Sequence, residues 1–395
     1  MGSLTREPWG EHDGRPVELF TWTSATASGL RVQVSNWGAT IVSVRQRDRH
    51  GVEADVVLGF DTLDEYLSNP SYFGAMCGRV AGRIANASFV LGAQQQQQQQ
   101  RHELSANDGA HCLHGGSRGF SHRLWDADLL PRGTVVASLD GERQEAVESD
   151  TLQLRLESPA GEQGFPGTVS VVLRMRLTAD DALLLEVAAR CTDGATPIML
   201  TNHSYFNLAG DASGSVVRHE VLLAASRRLE MPDVLPSGRV LPVAGSVYDL
   251  TKPGGFAAAF ATASFGGFDD SFVLDDERDD ANEQADDATA LLRLAPTLLR
   301  GTRMRRAATI VDAASGRSVC VETTQPIAHI YTAAHIEAER GRRGCVYGRF
   351  SGVCVETQGV VNAINMPLLA EHALLRQGDA PYLHTTSFRF KTQQR

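Results

Sequence analysis

Nowhere in these 395 residues does an apolar run approach the ~18 residues that a membrane-spanning helix needs. The first fourteen residues lack the apolar centre of a secretory signal. Arg6 stands where a myristoylation pattern opening on Gly2 requires serine or threonine. No C-x-x-C pair occurs. Cys77, Cys112, Cys191, Cys320, Cys345 and Cys354 are scattered, which fits reduced thiols better than a disulfide framework. Together these absences predict a cytoplasmic protein without membrane contact. A basic excess is missing as well: 37 Lys and Arg stand against 47 Asp and Glu, a formal charge of −10. Nucleic-acid binding needs a basic face, and neither Arg300–Arg306 nor Arg340–Arg343 is followed by an aromatic reading surface, so both read as solvated. No phosphate-binding G-x-x-x-x-G-K-[ST] loop and no G-x-G-x-x-G after a strand is present, so nucleotide cofactors lack support.

Helical periodicity is scarce too, and period-two alternation dominates what remains. Leu152, Leu154 and Leu156 alternate with polar partners, as do Val169, Val171, Leu173, Met175 and Leu177. Asp180-Asp181 interrupts before Leu183, Leu185 and Val187 resume, which predicts a long hairpin. Leu30, Val32 and Val34 predict a strand that turns at Asn36-Trp37-Gly38 into a second one over Ile41–Val44. One short helix is expected after the capping box Thr62-x-x-Glu65, ended by Pro70. Many short strands with few short helices favour an all-β, antiparallel β-sandwich over a doubly wound sheet. Large all-β chains are often one domain, so residues 1–395 are read as one. Surface insertions are expected at 93–101, around the glutamine run Gln94–Gln100, and at 275–289, where eight acidic residues crowd one arginine. The acidic carboxylates do not follow the alternate-position pattern of a calcium loop.

Two strings invite misreading. Gly115-Gly116-Ser117-Arg118-Gly119 matches G-x-S-x-G, yet a nucleophile elbow needs a strand before it and a helix after it, and here a strand around Leu124 and Trp125 is expected next. His111 and His114 are three apart, face opposite ways on a strand, and have no third ligand at a suggestive spacing, so no metal is expected. More informative is Thr201-Asn202-His203-Ser204-Tyr205-Phe206-Asn207-Leu208, where polar groups crowd an imidazole between apolar flanks. His203 is either a hydrogen-bonded strand histidine or a tuned acid–base group. Val353-Cys354-Val355-Glu356-Thr357-Gln358 sets a carboxylate inside a β-branched strand, where an unpaired charge is expensive and a base is conceivable. Val319-Cys320-Val321-Glu322-Thr323 repeats the same five letters, so on pattern alone Glu322 and Glu356 are equal candidates.

Taken together, six strings resemble the motifs of the aldose 1-epimerase (galactose mutarotase) family. They are Gly78–Ile84, Leu113–Gly116 followed by Gly119-Phe120, Thr201–Leu208, Gly267–Phe272, Thr323–Pro326 and Glu356–Gln358, and they run in register from roughly Gly29 to Phe390. The resemblance implies a large galactose mutarotase-like β-sandwich and interconversion of the α and β anomers of free hexoses such as galactose and glucose, without cofactor or metal. It implies Glu356 as base, His203 as acid, and Arg83, His114, Asp269 and Gln325 as sugar-binding residues. It also favours Glu356 over Glu322, which sits where the family does not place its base. Its expected partner is a small aldose, with the chain a monomer or weak dimer. The chain departs from the family pattern at Gly82, where asparagine is usual, and at Gly359-Val360-Val361, where an aromatic residue or proline is common. Competing expectations are a hexose-6-phosphate 1-epimerase, a non-catalytic sugar-binding protein on the same scaffold, and a glycoside hydrolase pairing Asp269 with Glu356.

Overall fold

The alternating segments become strands because one side of each reaches a shared apolar interior. The computed structural model describes residues 2–92, 100–276 and 286–393. Ser3–His12, Arg15–Thr23, Arg31–Ser35, Thr40–Arg47 and Glu53–Asp55 form a five-stranded antiparallel sheet in chain order. Its first hairpin turns at Asp13-Gly14, both with positive φ, the backbone that a tight two-residue turn requires. An eight-stranded sheet runs in the order Asp126–Leu130, Thr151–Ser158, Val169–Leu177, Ala182–Cys191, Tyr382–Thr392, Arg317–Thr323, Arg305–Val311 and Glu220–Leu223. The C-terminal strand thus lies in mid-sheet, sealed on both edges.

The expected hairpin is present as Val169–Leu177 paired with Ala182–Cys191, in register from Val169↔Cys191 to Leu177↔Leu183. Leu152, Leu154, Val171, Leu173 and Leu183 are fully buried. They join one core with Val32 and Ile41 of the five-stranded sheet and with Phe272, Ile330 and Val355 of a third sheet. This is the layered interior of a sandwich, and truncating one such leucine to alanine costs about 2–5 kcal/mol.

The third sheet has six strands, ordered Tyr205–Phe206, Val353–Gln358, Ile327–Tyr331, Asp269–Val273, Arg227–Leu229 and Val240–Pro242. Three of the recognised motifs therefore share this sheet, two on neighbouring strands and the third, Asp269–Val273, one strand further across.

Among the described residues there are three α-helices, and none is long and apolar enough to cross a membrane. Leu63–Ser68 is the expected one. Glu65 accepts the Thr62 backbone N–H at 3.0 Å, and the helix stops at Asn69, before Pro70. The other two, Gly255–Phe260 and Asp287–Leu294, were not anticipated. The second begins inside the acidic segment. Asp286 caps it by accepting the Thr289 N–H at 2.8 Å, and Ala290, Leu291 and Leu294 are buried. At the other end Asp275 accepts from the Ser226 N–H at 2.9 Å, and Asp276 lies 3.2 Å from Arg303. Both ends of 275–289 are thus tied to the body, while 277–285 lie outside the described residues. In the 93–101 insertion, Gln100 and Arg101 belong to the strand Gln100–Glu103, paired with Ser88–Leu91, and 93–99 lie outside the described residues. The strand anticipated at Leu124-Trp125 starts at Asp126, with Leu124 making only an isolated bridge to Trp37.

Candidate active site

All six residues of Val353–Gln358 are buried, so the carboxylate of Glu356 projects from a rigid element. It faces a cavity of about 290 Å³, close to the lower end of the size range of small-molecule sites. His203 reaches the same cavity from a neighbouring segment. Its backbone N–H is fixed on Ala75 O at 2.9 Å, between Thr201–Asn202, paired with Met76–Cys77, and Tyr205–Phe206, paired with Val353–Gln358. Nε2 of His203 lies 3.4 Å from Oε1 of Glu356, with both side chains about 95% shielded from solvent. Its Nδ1 lies 3.5 Å from the Cys354 thiol, which burial and the Glu356 charge keep protonated.

His114 follows the two-residue strand Cys112–Leu113, which pairs with Arg83–Ile84. Its backbone N–H donates to Gly82 O at 2.9 Å, and the Gly82 N–H donates to its Nδ1 at 3.2 Å. That second bond leaves Nε2 as the protonated nitrogen. Burial, reinforced by the charges of His203, Arg83 and His329, pushes His114 well below the usual imidazole range, so the ring is a neutral donor. Tyr72 packs against it at 4.7 Å between ring centres. The guanidinium of Arg83 is held by Asp108, with Nε donating to Oδ2 at 2.6 Å.

Asp269 opens the strand Asp269–Val273 and accepts from or shares a proton with His329 Nε2 at 2.8 Å. Burial would raise its carboxyl, but the His329 hydrogen bond and the charges of His329, Arg83 and His335 outweigh that and hold it down to about 2. It is therefore an acceptor at any ordinary pH.

The cavity wall thus brings together five of the residues anticipated from sequence: Arg83, His114, His203, Asp269 and Glu356. Gln325 is not among the lining residues. It is fully buried beyond the end of Arg317–Thr323, its backbone N–H on Thr323 Oγ1 at 3.1 Å, and its side-chain amide has no hydrogen-bond partner among the described residues. The competing glutamate is elsewhere: Glu322 lies on the eight-stranded sheet, one-third exposed, 3.6 Å from Arg389. Asp108, His329 and Gln358 line the cavity and were not singled out. For His329 a signal existed, an imidazole set among Ile327, Ala328 and Ile330, the same kind of pattern that marked His203.

The two departures from the family motifs touch one another. Gly82 has φ +65°, and a Cβ there would lie 3.0 Å from Val361 Cγ2. Chemically, the wall offers one carboxylate beside an imidazole, a neutral imidazole donor, a guanidinium paired with a second carboxylate, and a third, ionised carboxylate. The ligand-capable atoms of His114, His203 and Glu356 lie within 4.8 Å of one another, the spacing at which a metal ion could also be held.

Comparison with known proteins agrees over the full length. The aldose 1-epimerase family profile matches residues 21–389. The chain is 36% identical over 395 residues to the galactose mutarotase of Homo sapiens, with 99% of each chain covered. It is 35% identical over 394 residues to that of Mus musculus, again with 99% of each covered. Among solved structures, its fold is similar to that of galactose 1-epimerase from Lactobacillus acidophilus, with a TM-score of 0.74, 20% identity and 99% of both chains covered.

Proposed function

Since the chain belongs to the aldose 1-epimerase family, we propose that it interconverts the α and β anomers of a free aldose by acid–base opening and closing of the pyranose ring. The observation that carries this reading is the approach of His203 Nε2 to Glu356 Oε1, 3.4 Å, inside a cavity sized for one small ligand. The two exchanging oxygens of a hemiacetal sit on one carbon, so the acid and the base must converge on one spot, as these do. Glu356 takes the proton of the anomeric hydroxyl while His203 gives one to the ring oxygen. The bond from C1 to the ring oxygen breaks, and the C1 carbonyl forms. Rotation about the C1–C2 bond presents the other carbonyl face, and the reverse transfers close the ring. Each positioned proton transfer is worth about 10²–10⁴-fold.

His114, neutral with its proton on Nε2, donates to an oxygen that gains negative charge as the ring opens. Asp269 accepts from sugar hydroxyls, and Arg83, braced by Asp108, donates to them. Among the described residues of the wall, Arg83 is the sole Lys or Arg, and Asp108 already engages it. That weighs against a 6-phosphate, which calls for a free basic subsite. Gln325 has no part in this scheme. The shared core of the three sheets supports reading residues 1–395 as a single domain. The six free thiols support a reducing, cytoplasmic setting, and we read the working form as a monomer or weak dimer.

Polarimetry tests the proposal. The purified protein should speed the decay of optical rotation of fresh α-galactose or α-glucose and leave a nitrophenyl galactoside intact. Sugar binding in a calorimeter without acceleration would replace the enzyme by a binding protein, and acceleration confined to glucose 6-phosphate would reassign the substrate.

A further inference from the structure

His329 lines the cavity but takes no part in the proton transfers above. Its strand, Ile327–Tyr331, lies between Asp269–Val273 and Val353–Gln358, and the register sets Ser271, His329 and Glu356 directly opposite one another in a row. Residues opposed in this way project from the same sheet face with Cβ atoms about 5 Å apart. Both ring nitrogens are engaged: Nδ1 is 2.9 Å from Ser271 Oγ and Nε2 is 2.8 Å from Asp269 Oδ1. The imidazole is therefore locked between the carboxylate that accepts from the sugar and the one that takes its proton.

Two carboxylates in one small cavity do not both ionise readily, because each raises the cost of charging the other. Asp108 and Asp270 are compensated by Arg83 and Arg228, at 2.6 and 3.4 Å. Among the described residues, Asp269 and Glu356 have no arginine or lysine as ion-pair partners. We propose that His329 is a positioning residue, a positively charged spacer between Asp269 and Glu356 that lets both carboxylates be ionised together, one to hold the sugar and one to act as base. The charged groups facing it agree. From its neighbour strands come Asp269, Asp270 and Glu356; across the cavity stand His114, which is neutral, Arg83, whose charge also reaches Asp269 but whose ion pair is with Asp108, and His335, exposed and 3.8 Å from the far oxygen of Asp269. Burial alone would discharge the ring, but the Asp269 hydrogen bond and the charges of Asp269, Glu356 and Asp270 prevail and raise its affinity for the second proton.

The inference rests on the epimerase reading for its kinetic test, and a second measurement is independent of activity. In His329→Gln the amide keeps hydrogen-bonding capacity toward Asp269 and Ser271 but carries no charge. The acid limb of its kcat/KM profile should move up by about one pH unit or more, with rates approaching the wild type above the limb. His329→Ala, which also releases Asp269, should in addition raise KM. In the wild-type protein labelled at histidine with ¹⁵N, the resonance missing from His329→Gln should titrate above the ordinary imidazole midpoint. An unmoved acid limb in His329→Gln, an equal loss at every pH, or a resonance that titrates at or below the ordinary imidazole midpoint overturns the proposal. Absence of activity in the wild type would instead sink the epimerase reading, and the titration would still report the charge on His329.

Discussion

Two glutamates in this chain share the local sequence Val-Cys-Val-Glu-Thr, and removing each charge in turn separates place from pattern. In Glu356→Gln the group that accepts the anomeric proton is gone while shape and burial are kept. A positioned proton transfer contributes about 10²–10⁴-fold, equivalent to about 3–5 kcal/mol of barrier, so optical-rotation decay of fresh α-galactose should fall by that factor toward the spontaneous rate. In Glu322→Gln the loss is one partly exposed contact to Arg389, at 3.6 Å, and Arg389 retains Asp180. Such a pair is worth about 0–1 kcal/mol of stability, and the site is on another sheet, so the rate should stay within about twofold. Polarimetry with the uncatalysed rate subtracted reads both, and a melting curve for each variant confirms folding. Comparable losses from the two substitutions, or a Glu356→Gln enzyme within about tenfold of wild type, would refute the assignment of the base.

Dialysis against a strong chelator should leave the rate unchanged, because the scheme moves protons between side chains; a loss restored by added zinc would move His114, His203 and Glu356 to metal chemistry. Gly82→Asn should be tolerated by the backbone, since asparagine accepts positive φ, but should press on Val361 and lower the melting temperature by an amount equivalent to about 1 kcal/mol. Combining it with Val361→Ala should recover that loss, and a double variant no more stable than Gly82→Asn would refute the contact. Asp269, held down to about 2 against an ordinary 3.8, contributes stability that is present above pH 4 and disappears as the pH falls toward 2. Thermal melts should therefore show wild type losing more stability than Asp269→Asn across that window; parallel curves would contradict the depressed carboxyl.

The sandwich was legible because its longest strands bury one face: Leu152 to Leu156 and Val169 to Leu173 alternate in the letters as they do in the structure. The helix after Thr62 was legible through its cap. Asp287–Leu294 was hidden by its own first turn, where Asp286 and Asp287 read as the tail of a repelling segment although Asp286 is the cap. The signal that marks it is Ala290, Leu291 and Leu294, which share one helical face. His203 and Glu356 could be picked out because a polar group among apolar neighbours demands a reason. Their meeting could not, since Tyr205–Phe206 pairs with Val353–Gln358 across about 150 residues of chain and no local pattern encodes that register. The same holds for Asp108 against Arg83 and for His329 between two carboxylates. Glu322 and Glu356, alike in their five-letter setting, are told apart by the sheets that receive them.

The strands Ser88–Leu91 and Gln100–Glu103 are zipped together, with Leu91 opposite Gln100, the last residue of the glutamine run. With its two anchor points fused in this way, the repeat can gain or lose units through replication slippage at little energetic penalty, since closure cost climbs only with the logarithm of length. A spot so indifferent to length is also a practical doorway. An epitope or a fluorescent reporter spliced there should leave the fold intact, and because Arg83 and Asp108 flank this hairpin, polarimetry reads whether the site is undisturbed as well.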